Sequence, residues 1–147
     1  MENLTKWYLR QNSTTIFFLF FLGIPFYLWI YSIITEFDKK NLNENNGRKF
    51  LLKFATFYPI FYLFFFIIYL IYNLSTSNFD FIDKILPFHL LAMVCGLILL
   101  FLGSESLTKY EKNKNFETYG VVGNFFLFWF YIIGVWLLQP KINKYTE

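Results

Sequence analysis

Charge is missing from four long stretches of this 147-residue chain: 11–35, 54–79, 85–104 and 118–140. They hold 25, 26, 20 and 23 residues, and all 23 Asp, Glu, Lys and Arg residues fall in the short segments between and beside them. About 20 apolar residues cross a hydrocarbon layer ~30 Å thick as a helix, so each stretch is long enough to span one. Only 16% of the chain is charged, against about 25% in an ordinary soluble domain. The pattern excludes a soluble globule and a nucleic-acid binder. With Cys95 the only cysteine, a disulfide framework, a paired-cysteine redox site and a thiolate metal site are excluded as well.

The expected fold is all-α, one membrane domain over 1–147 with four transmembrane helices near 15–35, 54–73, 86–103 and 120–139. The connections 36–53, 74–84 and 104–119 are short, which predicts an up-down-up-down bundle. The uncharged run at 11–35 exceeds the ~7–15 apolar residues of a signal peptide and lacks its cleavage element, so the first span is expected to be retained. Pro25 should kink the first span, because a mid-helix proline removes a backbone hydrogen bond. Pro59 sits one turn into the second. Asp83 is a candidate cap for the third, with Pro87 in its first turn, and Pro140 should stop the fourth. Segment 105–117 reads equally as a short surface helix or a solvated loop. Glu36, Asp38, Lys39 and Lys40 read as a solvated cap. No internal repeat is apparent.

In that topology the loops 36–53 and 104–119 carry eight Lys and Arg, and the opposite side, with both chain ends, carries five. Positive charge favours the cytoplasmic side, so the two loops are expected inside.

No Asp, Glu, Lys or Arg falls in an expected membrane core, although pumps and proton relays retain such residues at depth. A single His and a single Cys build no metal site within one chain, and no nucleophile–base set is visible. The expectation is a protein that is not an enzyme and carries no cofactor or metal.

Three features remain as candidates for a ligand or pathway. Tyr58, Tyr62, Tyr69 and Tyr72, with Ala55 and Phe65, share one helix face. A Tyr hydroxyl in hydrocarbon needs a hydrogen-bond partner, so this face should meet protein. His89 begins a stripe with Ala92 or Met93, Gly96, Leu100 and Gly103, whose small residues suit a helix contact. Asn124 can bond across helices, beside a face of Gly123, Leu127, Phe130 and Gly134 shaped to receive another helix. For each, packing is the plainer explanation.

The segment Trp129-Phe130-Tyr131-Ile132-Ile133-Gly134-Val135-Trp136-Leu137-Leu138-Gln139-Pro140-Lys141-Ile142-Asn143 resembles the closing segment of small, uncharacterised four-span inner-membrane proteins of Bacteroidetes-type bacteria. The resemblance covers about 15 residues. It implies a bacterial inner membrane and carries no functional residue across.

The function expected from these features is an accessory, assembly or structural subunit of a larger membrane complex. Its partners would be lipids, other membrane subunits or further copies of itself. Two alternatives stand beside it: a homo-oligomeric pore or membrane-permeabilising effector, and a quinone- or lipid-binding protein using His89 and Tyr58.

Overall fold

The structure is a computed structural model. It describes residues 2–42, 45–75 and 81–146, with the side chains at 74–75 and 81–83 outside the description. Seven helices and no strand are present among the described residues: α1 (Glu2–Arg10), α2 (Ser13–Phe20), α3 (Ile24–Lys40), α4 (Asn46–Ser75), α5 (Phe81–Asn113), α6 (Gly120–Trp129) and α7 (Tyr131–Thr146). The fold is all-α. Two of the helices, α4 and α5, are long and apolar enough to cross a membrane. At 1.5 Å per residue they measure about 45 and 50 Å.

The other two expected spans are not single helices. The first is broken at 21–23, where Gly23 adopts φ +72° and Pro25 opens α3. A left-handed glycine followed by a proline in the first turn reverses the chain. Phe20 then packs on both Phe26 and Trp29. Residues 2–20 and 24–40 therefore form a helical hairpin rather than a kinked span. The fourth stretch breaks at Phe130, with φ −89° and ψ 53° and without a glycine or proline at the turn. Lys141 returns to the level of Glu117 and Tyr119, and Gly134 lies against the Leu127 carbonyl. Gly134 thus serves the closure of its own hairpin, not a groove for another helix.

Other boundaries move for tertiary reasons. α5 begins at Phe81, ahead of the expected Asp83 cap, which places Pro87 well inside the helix. It also continues to Asn113, because Ser104, Ser106, Leu107, Thr108, Tyr110 and Glu111 are all buried. The polar residues of 105–117 bond to protein instead of water. α7 runs through Pro140 to Thr146, since Ile142 is buried and Asn143 is bonded on the far side of the proline. Those contacts offset the ~3 kcal/mol a proline costs inside a helix.

Counting α1 and α2 as one arm, the result is a six-helix end and a two-helix end. α3 is the axis of the former, with Trp29, Ile30, Ile33, Ile34 and Phe37 fully buried. Gly103 of α5 lies against Ile30 and Phe128, and Tyr145 of α7 meets Phe37 and Tyr110. Beyond the hairpin tips at 21–23 and 130, α4 and α5 continue alone. Glu2, Lys40 and Tyr145 all belong to the six-helix end, where Lys40 donates to the Tyr145 carbonyl at 2.7 Å. Of the thirteen Lys and Arg residues, twelve sit at that end and only Lys84 on the two-helix part. The eight-to-five division is therefore replaced by twelve to one, because both chain ends join the two loops.

Candidate functional site

Two polar networks brace the six-helix end. Arg48, at the start of α4, donates from Nε to Asp38 Oδ2 at 2.6 Å and from Nη1 to Glu105 Oε2 at 2.6 Å. Its Nη2 reaches Asp38 Oδ1 at 3.2 Å and Ser106 Oγ at 2.8 Å, and the Ser106 hydroxyl donates to Asp38 Oδ1 at 2.6 Å. Asp38 thus ties α3 to α4 and α5 and is not part of a solvated cap. A bidentate guanidinium–carboxylate pair is both strong and directional.

The second network centres on Glu111, which is fully buried. Lys141 Nζ, the Tyr145 hydroxyl and Asn124 Nδ2 each approach its carboxylate at 3.3 Å. Asn124 also donates to Thr108 Oγ1 at 2.9 Å, while its Oδ1 has no partner among the described residues. Burial, with the Glu111 charge second, pushes the Tyr145 hydroxyl up to about 12. Asn124 therefore works in this charged end, away from the other residues singled out in the sequence.

Those others do come together. Tyr62 and His89 face each other across α4 and α5, hydroxyl to Nδ1, at 3.0 Å. The Tyr58 hydroxyl donates to the Phe88 carbonyl at 3.3 Å. Tyr58, Tyr62, Tyr69 and Tyr72 line an open groove of about 760 Å³ between the two helices, walled by Phe61, Phe65, Phe66, Ile85 and Phe88, with Lys84 at its rim. The tyrosine face meets protein at Tyr58 and Tyr62, both half-buried, and opens outward at Tyr72.

A second apolar recess of about 400 Å³, as open as the groove, lies on the six-helix side of His89, beside the hairpin tips. His89, Tyr62, Ala92, Gly96 and Leu100 line it from α4 and α5, and Phe26, Tyr27, Trp129 and Tyr131 from the tips. The expected small-residue stripe is thus partly a wall of this recess. A Cβ added at Gly96 would meet nothing within 4 Å. Tyr27, Trp129 and Tyr131 escape detection in the sequence because two linear spans would not bring 27, 129 and 131 together. Only the folding back of both hairpins does so. Cys95 is buried beside this region and makes no covalent bond.

Among the described residues no group of three or more His, Cys, Asp or Glu is placed to hold a metal ion. Comparison with models of known families, with curated proteins and with solved structures finds no match to this chain.

Proposed function

We propose that this chain is a non-enzymatic integral membrane protein that serves as an accessory or structural subunit of a larger membrane complex. In this arrangement α4 and α5 cross the bilayer, and the two shorter hairpins enter and leave it on one side. The cation-rich end is cytoplasmic, as positive charge favours, and a bacterial inner membrane is the setting that the C-terminal resemblance suggests.

The observation that carries the proposal is the bare outer half of α4–α5. Phe61, Phe64, Phe65, Ile68 and Ile71 are all exposed there, beside the tyrosine-lined groove. Association of helices within a bilayer is driven by side-chain packing, and the groove between these two ring-bearing helices offers a surface into which a third helix can pack. The occupant proposed for the groove is a transmembrane helix of another subunit. The charged groups Arg48, Asp38, Glu111 and Lys141 of the six-helix end, by contrast, are engaged with other groups of this chain. Its axis is filled by Trp29, Ile33 and Phe37, so a conducting path would have to form between copies.

Purification in mild detergent, with a photo-crosslinker at Phe65 or Ile68, tests the proposal. A stoichiometric second polypeptide crosslinked at either position supports it. A lone monomer with no crosslink overturns it, and a ring of identical chains transfers the groove to self-association and favours the pore.

A further inference from the structure

Between the end of α3 and the start of α4 lies a recess of about 250 Å³, less open than the tyrosine-lined groove. One face of α3 supplies Tyr31, Thr35, Asp38 and Lys39 to it, and one face of α4 supplies Lys49, Leu52 and Lys53. Thr35 is the last residue of the first uncharged stretch, and Lys53 the last before the second. The recess therefore sits on the boundary between apolar and charged chain. One turn toward the apolar side, Tyr31 packs on Phe57 with ring centroids 6.1 Å apart.

Three lysines line the recess against one acid, and that acid is already engaged. Both Asp38 oxygens accept from Arg48, and Ser106 donates to Oδ1 as well. Glu2, the other acid that feels Lys39, is paired with Lys6 at 3.0 Å. Lys39 and Lys53 make no hydrogen bond or ion pair among the described residues. The Thr35 hydroxyl is a second unmet group. Ser32, Thr56 and Ser104 each donate to the carbonyl four residues earlier, whereas Thr35 Oγ1 is buried with no partner among the described residues.

We propose that this recess holds a phosphate group, that of an anionic phospholipid in the cytoplasmic leaflet. Lysine ammonium groups bind phosphate as compact point charges, and basic pockets between helices on the cytoplasmic side take anionic headgroups. With Asp38 neutralised by Arg48, the lysines leave a positive field that an anion completes. A phosphate oxygen also supplies the acceptor that Thr35 lacks. Position assigns the phosphate to a lipid. The recess lies at headgroup level, and Phe50 and Phe54 are exposed on α4 beside its lysines, where acyl chains can cover them. Its volume is below the ~300–1,000 Å³ of sites that enclose a whole small molecule, which suits a headgroup whose tails stay in the bilayer better than a nucleotide. The inference rests on α4 and α5 crossing the bilayer with this end cytoplasmic, and it needs no second subunit.

The experiment titrates the full chain in detergent micelles with phosphatidylglycerol and reads retained lipid by native mass spectrometry. One lipid per chain should be held, about tenfold more tightly than phosphatidylcholine of the same acyl chains, whose own cation offsets its phosphate. Lys39→Gln with Lys53→Gln should weaken retention roughly 25-fold, about fivefold for each lysine. Lys112→Gln with Lys114→Gln removes the same charge from the same end outside the recess, and should change retention by less than about twofold. Thr35→Val should weaken it roughly two- to tenfold, the value of one hydrogen bond. Helical circular dichroism confirms that each variant is folded. Equal losses in the two double variants overturn the proposal, because the attraction would then belong to the whole cationic surface. Equal retention of the two lipids overturns it, and so does displacement of phosphatidylglycerol by inorganic phosphate, which would make free phosphate the occupant. A chain that stays in solution without detergent overturns the bilayer reading and the lipid site together. The crosslinking test at Phe65 or Ile68, by contrast, can fail while phosphatidylglycerol binds as expected, so the two failures are distinct.

Discussion

The Trp29 indole N–H donates to Gln139 Oε1 at 2.7 Å, joining the first hairpin to the last across 110 residues, and both side chains are fully buried. The Gln139 amide group turns the other way and donates to the Gln11 carbonyl at 2.8 Å. That carbonyl is free because the chain breaks between α1 and α2. Asn143 Nδ2 reaches it too, at 3.1 Å, and Asn12 caps α2 by accepting from Thr15 N at 2.7 Å. A helix break inside an apolar body needs such substitutes for water. Gln139 therefore holds three segments together: α3, α7 and the α1–α2 joint.

Removing that amide should be among the costliest single changes in the chain. Gln139→Leu leaves the Trp29 N–H without its acceptor and the Gln11 carbonyl with one donor fewer, at about 1–3 kcal/mol for each unsatisfied buried group. Trp29→Phe in the Gln139→Leu background should recover part of the loss, because the stranded donor is gone. Thermal unfolding of the three variants in one detergent measures this. Strict additivity of the two substitutions would contradict a direct bond.

Arg48 makes a similar demand at the charged end. Its side chain is 13% exposed, as is that of Asp38, while Glu105 is 41% exposed. Arg48→Ala should destabilise by about 2–4 kcal/mol, toward the lower part of the range for broken buried pairs because Glu105 can rehydrate. Arg48→Lys should recover less than half, since an ammonium cannot reproduce the fork to Asp38. Equal melting temperatures for Arg48→Lys and the unaltered chain would refute the bidentate role.

The Tyr145 hydroxyl gives a pH signature. Its proton is held more tightly in the fold, up to about 12, than at the ordinary value of 10. A raised pKa means that its contribution to stability is complete below pH 10 and is lost as pH climbs through about 12. Unfolding measured between pH 9 and 12.5 should show an alkaline decline that is shallower in Tyr145→Phe. A matching decline in that variant would assign the effect to other tyrosines.

The twelve-to-one cation division predicts where labels appear. In a Cys95→Ser background, cysteines at Leu4, Asn41, Asn115 and Thr146 should all react from the cytoplasmic side, and Lys84→Cys from the opposite side. Four separate spans in alternation would instead place Leu4 and Thr146 opposite Asn41 and Asn115. Membrane-impermeant maleimide on intact cells and on inverted vesicles separates these patterns.

The helical character and the two long helices were legible because apolar length is written directly in the charge gaps. The hairpins were not, although Gly23 and Pro25 mark the first turn. A glycine beside a proline in an apolar run also fits a kinked span, and only the packing of Phe20 on Phe26 and Trp29 decides between them. At Phe130 no residue announces a turn at all. The tyrosine face and His89 could be singled out by helical spacing, and their pairing depends on the register of α4 against α5, which no local pattern encodes. Asn124 could be read as bonding across helices, but its partner Glu111 looks like a loop residue until α5 is seen to continue past Ser104.

The two helical glycines Gly134 and Gly96 separate the hairpin architecture from a simple span most sharply. A Cβ built on Gly134 would fall on the carbonyl oxygen and carbon of Leu127, both backbone atoms of the same hairpin. Backbone cannot rotate aside as a side chain can, so Gly134→Ala must open the α6–α7 turn. Overpacking of ordinary cores costs about 1–3 kcal/mol, and a backbone obstacle places this substitution at the top of that range or above. At Gly96 the added carbon meets nothing within 4 Å, and alanine in a helix interior is favoured over glycine by roughly 0.5–1 kcal/mol. Gly96→Ala should therefore raise the melting temperature while Gly134→Ala lowers it. If 120–139 were one straight span, position 134 would lie about 10 Å along the helix axis from 127, and Gly134→Ala would also stabilise. Equal and upward shifts for the two alanines would accordingly rule out the closed α6–α7 hairpin.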